Sequence, residues 1–161
     1  MGPVVLVPKS KGTVSLSSSN PMDKAIIDPK YFSDDDDLRK SVIGFKLAQK
    51  LATTKAFKPY YSAPFEPSQI LHDDSAIKDH LRKTSETLYH PVGTCKMGTD
   101  RMSVVDSQLR VHGIQGLRVV DASVMPTITR GNTNAPTIMI AERAADLILQ
   151  AKNAKAARAT A

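Results

Sequence analysis

The sequence is poor in cysteine and in aromatic residues. Its 161 residues include one cysteine, Cys95, no tryptophan and only 5% aromatic residues. A single cysteine excludes an intrachain disulfide and a zinc site built from several cysteines. The fold must therefore be stabilised by packing and hydrogen bonds, and we expect no metal site.

Long apolar runs are also absent. No stretch approaches the roughly 18 to 20 apolar residues that a membrane-spanning helix needs, so we expect no membrane span. The opening MGPVVLVPKS has a short apolar stretch that Pro8 interrupts, and no basic region precedes it. It does not resemble a secretory signal, and we expect a cytoplasmic location.

Positive charge exceeds negative charge but is not concentrated. The 22 Lys and Arg against 16 Asp and Glu give a formal net charge of +6. The densest excess lies in the tail KNAKAARATA, and elsewhere basic residues alternate with carboxylates. Because no basic stripe with stacking aromatics occurs, we expect no nucleic-acid partner.

Local patterns predict short strands and a first helix. Residues 4–7 and 13–16 resemble two strands of a hairpin with a turn at 10–12. The run Asp34 to Asp37 precedes apolar residues at helical spacing: Leu38, Val42, Phe45, Ala48 and Leu51. Carboxylates at that position cap a helix and favour its positive dipole end. Metal binding is the alternative, but the ligand alternation of a calcium loop is missing.

Two further helices follow from capping and spacing. Asp73 or Asp74 predicts the start of the second helix, whose predicted inner face is Ile77, Leu81 and Leu88. Short extended runs then lead to a strand at 117–120 that we expect to be buried. Pro136 opens a third helix with Ile140, Ala144, Leu147 and Ile148 inside.

His90 is the strongest candidate for chemistry among the four histidines. His72 and His112 lie in polar turns, and His80 lies among charged residues of the second helix, where we expect exposure. Pro91 forces the backbone of His90 to be extended, and VGTCKMG follows with two glycines that permit close approach. The pattern leaves two interpretations open, a catalytic side chain in a cleft and a helix cap.

The segment GNTNAPT, residues 131–137, is the second candidate. Asn and Pro are ordinary punctuation at a helix start. The same helix N-terminus presents N–H donors and partial positive charge to an anion, or to a ring that becomes anionic. Cys95 lies five residues after His90, but a thiol nucleophile would require a base aimed at it.

Taken together, these segments resemble a known family. HPVGTCKMG followed by VVDSQLRVHGIQGLRVVDASVMPTITRGNTNAPTIMIAERAADLI is similar to the C-terminal signature of the glucose-methanol-choline (GMC) flavoprotein oxidoreductases. PKSKGTVSLSSSNPMDKAIIDPKYFSDDDDL resembles the start of the C-terminal portion, so the resemblance covers about residues 3–150. Within the family, the segment looks most like choline dehydrogenase and related bacterial alcohol dehydrogenases and oxidases.

The resemblance implies an α+β fold, with an antiparallel sheet flanked by helices and a strand–helix return to an FAD-binding domain. It assigns residues 1–92 to the substrate-binding domain and residues 93–150 to the returning segment, leaving 151–161 as a disordered tail. No G-x-G-x-x-G fingerprint occurs, so FAD would be bound mainly by an N-terminal portion outside this sequence. The isolated chain is then expected to be inactive.

The resemblance also implies the roles of site residues. His90 matches the active-site histidine, which takes the alcohol proton, and Asn132 matches the second member of the catalytic pair. The residues that match flavin-contacting positions are Asp121, Ala122, Asn134, Pro136 and Thr137. The implied reaction oxidises the CH–OH group of an alcohol by proton abstraction and hydride transfer to flavin N5. A non-catalytic remnant or interaction module that kept the fold is the alternative.

Overall fold

The computed structural model describes residues 2–159, and two compact units meet along the chain between Thr87 and Leu88. This division falls shortly before the boundary predicted at residue 92. Within the described part, three α-helices accompany one two-stranded antiparallel sheet. The α+β class is therefore confirmed.

The sheet of the first unit joins β1, Thr13–Ser15, to β2, Ile26–Asp28. Thr13 lies opposite Asp28, so the partner of β1 comes later in the chain and not from residues 4–7. The predicted hairpin was wrong in its first strand. A Cβ atom on Gly12 would lie 2.1 Å from the Asp28 carbonyl oxygen, so only glycine permits this approach of the two backbones.

Helix α1, Asp35–Ala52, begins where the aspartate run predicted. The Asp34 side chain caps it by accepting a hydrogen bond from the Asp36 amide at 2.9 Å. Asp36 forms ion pairs with Lys9, Arg39 and Lys40, which hold the pKa of its carboxyl well below the ordinary value. The run thus serves capping and ion pairing.

Helix α2, Asp74–Thr84, is capped by Asp73, whose carboxylate accepts from the Ala76 amide. Its buried Ile77 and Leu81 pack with α1 residues in one core: Leu38, Val42 and Phe45. Leu88 lies beyond the helix and is exposed, because the chain leaves the helix at Ser85.

His80 corrects the expectation of an exposed side chain. Only 14% of the side chain is accessible, and its ring lies 5.6 Å from that of Phe45. The charged neighbours of His80 in the sequence suggested an exposed side chain. His80 nevertheless lies three residues after the core residue Ile77, and residues three apart lie on the same side of a helix. An aromatic ring at the edge of a core buries apolar area even when its nitrogens are polar.

Helix α3, Asn134–Ala159, supplies the second unit with buried Ile140 and Ala144. Their partners in that core are Val105, Leu109, Val124 and Met125. Leu147 is only half-buried and Ile148 is exposed, so the predicted inner face is confirmed for Ile140 and Ala144 alone.

The remainder of the second unit consists of turns and isolated bridges. Residues 117–120 do not form a strand; Arg118 makes one antiparallel bridge with Arg110. Helix α3 continues through residues 151–159, where the sequence predicted a disordered tail, because alanine and lysine are strong helix formers. Residues 160 and 161 of that tail lie outside the described residues. No helix in the described chain is both long and apolar enough to cross a membrane.

Candidate functional site

The backbone before His90 is strained. Tyr89 has φ of 62°, a left-handed conformation that is costly for a bulky residue, and Pro91 follows His90. Helix α2 has already ended at Thr84, so His90 does not cap it, and the capping interpretation was wrong. Strained residues cluster at functional sites, which supports a special role for this segment.

The half-buried His90 side chain is joined to the start of α3. Its Nδ1 atom lies 3.0 Å from Oγ1 of Thr133, the residue that immediately precedes the helix. Thr133 is only 7% exposed, so the hydrogen bond is largely shielded from water. With Nδ1 engaged, Nε2 is the nitrogen that remains for other chemistry.

The loop after His90 is held by three backbone hydrogen bonds. The amides of Gly93 and Cys95 both donate to the Ser123 carbonyl, at 3.0 and 3.1 Å. The Met97 amide donates to the Val124 carbonyl at 2.8 Å. Gly93 has φ of 91°, where a side chain would be strained. The glycines of this segment therefore permit a tight loop against residues 122–124.

Two of the predicted flavin-contacting residues start that short segment. Asp121 is exposed and accepts a hydrogen bond from the Ser123 amide at 2.7 Å, capping a 3₁₀ turn at Ala122–Val124. Ala122 is half-buried against the second core. The same turn therefore presents Asp121 at the surface and anchors the His90 loop through its carbonyl groups.

The other predicted residues lie around the first turn of α3. Asn132 and Asn134 are exposed and flank Thr133, while Pro136 and Thr137 are half-buried. The Thr137 hydroxyl donates to the Thr133 carbonyl at 2.6 Å. The first N–H groups of a helix have no partner within the helix and form a donor site. His90, Asn132 and Asn134 thus converge on one end of α3.

Thr133 is the residue that sequence analysis missed. Its position inside GNTNAPT predicted nothing beyond helix punctuation, and its partner is 43 residues away. Two other titratable groups of the second unit have partners elsewhere. The His112 Nε2 atom contacts the Gly98 carbonyl, and Lys96 pairs with Asp100 and lowers the pKa of that carboxyl to about 2. Among the described residues, no cluster of three His, Cys, Asp or Glu side chains is suited to a metal ion.

Comparison with known proteins defines the family. A family profile described as GMC oxidoreductase matches residues 8–141. The chain therefore belongs to the GMC oxidoreductases and corresponds to their C-terminal region, which confirms the resemblance seen in the sequence.

Two curated relatives are similar over most of this chain. The alcohol dehydrogenase [acceptor] of Pseudomonas putida is 46% identical over 145 residues, which is 90% of this chain and 26% of the relative. The oxygen-dependent choline dehydrogenase of Pseudomonas fluorescens is 46% identical over 139 residues, covering 86% of this chain and 24% of the relative. The chain therefore spans about a quarter of the length of these enzymes.

A solved structure supports the fold. An FAD-dependent oxidoreductase from Chaetomium thermophilum aligns with a TM-score of 0.79 and 30% sequence identity. The alignment covers 88% of this chain and 25% of that structure. Sequence and structure therefore agree on the same region of the same family.

Proposed function

We propose that this chain forms the C-terminal part of an FAD-dependent enzyme that oxidises the CH–OH group of an alcohol. The observation that carries the proposal is the hydrogen bond between His90 and Thr133. It holds the imidazole at the end of α3 where Asn132 and Asn134 are exposed. Two enzymes named for alcohol and choline oxidation share 46% of the aligned residues with this chain.

The residues at this end of α3 fit a flavin. The exposed amides of Asn132 and Asn134, with the first N–H groups of the helix, form a neutral donor set at the positive end of a dipole. Such donors complement the carbonyl oxygens of a pyrimidine ring and stabilise negative charge on it. Thr137 already donates its hydroxyl to Thr133, so it offers only acceptor capacity.

A second surface fits the remainder of the cofactor less directly. Asp121 is an exposed carboxylate, and its bond to the Ser123 amide fixes its orientation. A carboxylate suits the hydroxyl groups of a ribityl chain, whereas it would repel a phosphate. We assign Asp121 and Ala122 to the ribityl part of the flavin. We assign the adenine dinucleotide part to an N-terminal portion, since this chain spans only about a quarter of the length of its relatives.

The division of the chain follows from these assignments. Residues 93–150 contain Asp121, Asn132 and the start of α3, and we assign them to the flavin-facing segment. Residues 1–92 contain the sheet, α1 and α2, and we assign them to the substrate-binding domain. His90 is then contributed by the segment that immediately precedes the flavin-facing part.

When bound, FAD supplies the two-electron oxidant for the alcohol carbon. His90 holds its Nε2 lone pair for the hydroxyl proton, because a carbon releases hydride readily only as its oxygen becomes an alkoxide. Asn132 donates a hydrogen bond to the same oxygen as negative charge develops. The alcohol would thus lose its hydroxyl proton to His90, and bound FAD would supply the acceptor for the hydride as the carbon becomes a carbonyl.

The test uses the full-length protein that contains this segment. After flavin loading, the protein is mixed anaerobically with choline, an aryl alcohol or an aliphatic alcohol while flavin absorbance is followed. We expect at least one class to bleach the flavin, and dithionite serves as a positive control for reducibility. A flavin that dithionite bleaches and no alcohol class reduces would contradict alcohol oxidation. A full-length protein that binds no flavin would contradict the cofactor assignment.

A further inference from the structure

We propose that Thr133 is a positioning residue that holds the ring of His90 at Nδ1 and leaves Nε2 free to face the substrate, a role that rests on the proposed function of His90 as base. The inference begins from one hydrogen bond, in which Nδ1 of His90 and Oγ1 of Thr133 lie 3.0 Å apart. The two residues are separated by 43 positions, so this contact belongs to the tertiary structure and not to a local turn.

Thr133 is a rigid partner. Its residue is 7% exposed, and its carbonyl accepts from the Thr137 amide at 3.0 Å and from the Thr137 hydroxyl at 2.6 Å. The helix that follows is anchored by the buried residues Ile140 and Ala144. A β-branched side chain has few χ1 choices, so the hydroxyl is held in place by its own backbone.

The direction of the hydrogen bond between His90 and Thr133 depends on which nitrogen of the neutral imidazole carries the hydrogen. Only one ring nitrogen carries hydrogen, and a hydroxyl can accept from a protonated Nδ1 or donate to a bare one, so the contact with Thr133 fits both tautomers. A base that acts through Nε2 needs its hydrogen on Nδ1, where the Thr133 oxygen accepts it. In the opposite tautomer the threonine would donate to Nδ1, and Nε2 would have no lone pair for a substrate proton.

The Thr133 hydroxyl can accept a hydrogen bond from Nδ1 in both the neutral imidazole and the imidazolium. After Nε2 takes a proton, Nδ1 still carries its hydrogen and still donates to Thr133, so the partner does not reorient during the reaction. This bond also keeps the ring in one orientation while the proton is held. The strained Tyr89 and the following Pro91 restrict the backbone, while Thr133 restricts rotation of the ring.

The decisive substitutions are Thr133→Val and Thr133→Ser in the full-length, flavin-loaded protein. Valine keeps the shape and removes the hydroxyl, whereas serine keeps the hydroxyl. We expect Thr133→Val to slow flavin reduction at saturating alcohol about 10- to 100-fold, the usual loss for an orienting partner. The alcohol concentration for half-saturation should change less than about twofold.

Thr133→Ser should restore the rate of flavin reduction to within a few-fold of the parent. Thr84→Val is the matched control, since that hydroxyl also lies near a histidine ring, at 3.5 Å from Nε2 of His80, on an exposed part of α2. We expect the control to reduce flavin at the parental rate. Flavin content and unfolding midpoints establish that each variant is folded.

The outcomes separate this proposal from the proposed function. Flavin reduction at the parental rate in Thr133→Val, together with slow reduction in His90→Ala, would overturn the positioning role alone. A serine variant as slow as the valine variant would show a role in packing and would also overturn it. His90→Ala at the parental rate would instead contradict His90 as the base. If Thr133 acts through His90, Thr133→Val should cause no further loss in the His90→Ala background.

Discussion

Nδ1 of His90 lies 3.0 Å from Oγ1 of Thr133, which joins the loop after α2 to the first turn of α3. Three backbone bonds from Gly93, Cys95 and Met97 then fasten that loop to residues 123 and 124. One side-chain contact and one set of amide contacts therefore place the histidine beside two exposed asparagines.

Replacing His90 with alanine in the full-length flavoprotein removes the proposed base. We expect flavin reduction to slow by about 10² to 10⁴, the usual range for losing general-base catalysis, while flavin remains bound. Anaerobic stopped-flow bleaching with excess alcohol measures the rate. Cys95→Ala is the control and should remain within a few-fold of the parent. A parental rate in His90→Ala at every pH from about 6 to 9 would exclude this base.

Replacing Asn132 with alanine removes one hydrogen-bond donor and leaves the base in place. We expect a smaller loss in flavin reduction, about 10- to 10³-fold. The same stopped-flow measurement applies, with Asn153→Ala near the other end of α3 as the matched control. If Asn132→Ala and Asn153→Ala were equally fast, Asn132 would have no part in the reaction.

Replacing Gly93 with alanine places a Cβ at φ of 91°. We expect the free energy of unfolding to fall by about 1–2 kcal/mol, because a left-handed conformation is costly for an L residue. Denaturant unfolding measures the change. Gly131→Ala is the control, since the φ of Gly131 lies outside the left-handed region and its added Cβ would meet nothing within 4 Å. Equal stability of the two variants would refute the strain argument.

Replacing Asp37 with asparagine weakens three contacts to its buried carboxylate, two from the Lys9 amide and one from the Ser10 amide at 2.7 Å. Hydrogen bonds to a charged group contribute about 1.5–3 kcal/mol, and we expect a loss of that order at neutral pH. Denaturant unfolding measures it, with the exposed Asp35→Asn as control. A loss no larger than that of Asp35→Asn would contradict the structural role of Asp37.

The Asp37 contribution should also depend on pH. Burial alone would raise the pKa of Asp37, but hydrogen bonds from Ser10 and Lys9 outweigh it and hold the pKa below its ordinary value of 3.8. A carboxyl with a lowered pKa in the folded state stabilises the protein above its unfolded pKa and loses that effect on further acidification. The stability gap between parent and Asp37→Asn should therefore narrow as the pH falls below 3.8. If the difference in unfolding free energy between parent and Asp37→Asn stayed constant below pH 3.8, the lowered pKa of Asp37 would not contribute to stability.

Local signals in the sequence were sufficient for the starts of α1 and α2, whereas α3 begins at Asn134, two residues before the predicted Pro136. Asp34 and Asp73 cap α1 and α2 as predicted, because an N-cap bond joins residues two or three positions apart. The end of α2 was less predictable, and Leu88 fell outside the helix because apolar spacing alone does not mark where a helix stops. The strand partner of β1 was wrong for a related reason, since pairing joins residues that are distant along the chain.

The sequence by itself determined the family, through an ordered series of motifs from HPVGTCKMG to GNTNAPTIMIAE, and it singled out His90 and Asn132. Tertiary structure decided what His90 contacts. Thr133 belonged to a helix-start motif with an adequate local explanation, and no pattern linked it to a histidine 43 residues earlier. Sequence motifs record local backbone geometry and chemical type, whereas a hydrogen bond between distant side chains exists only once the chain has packed around its core.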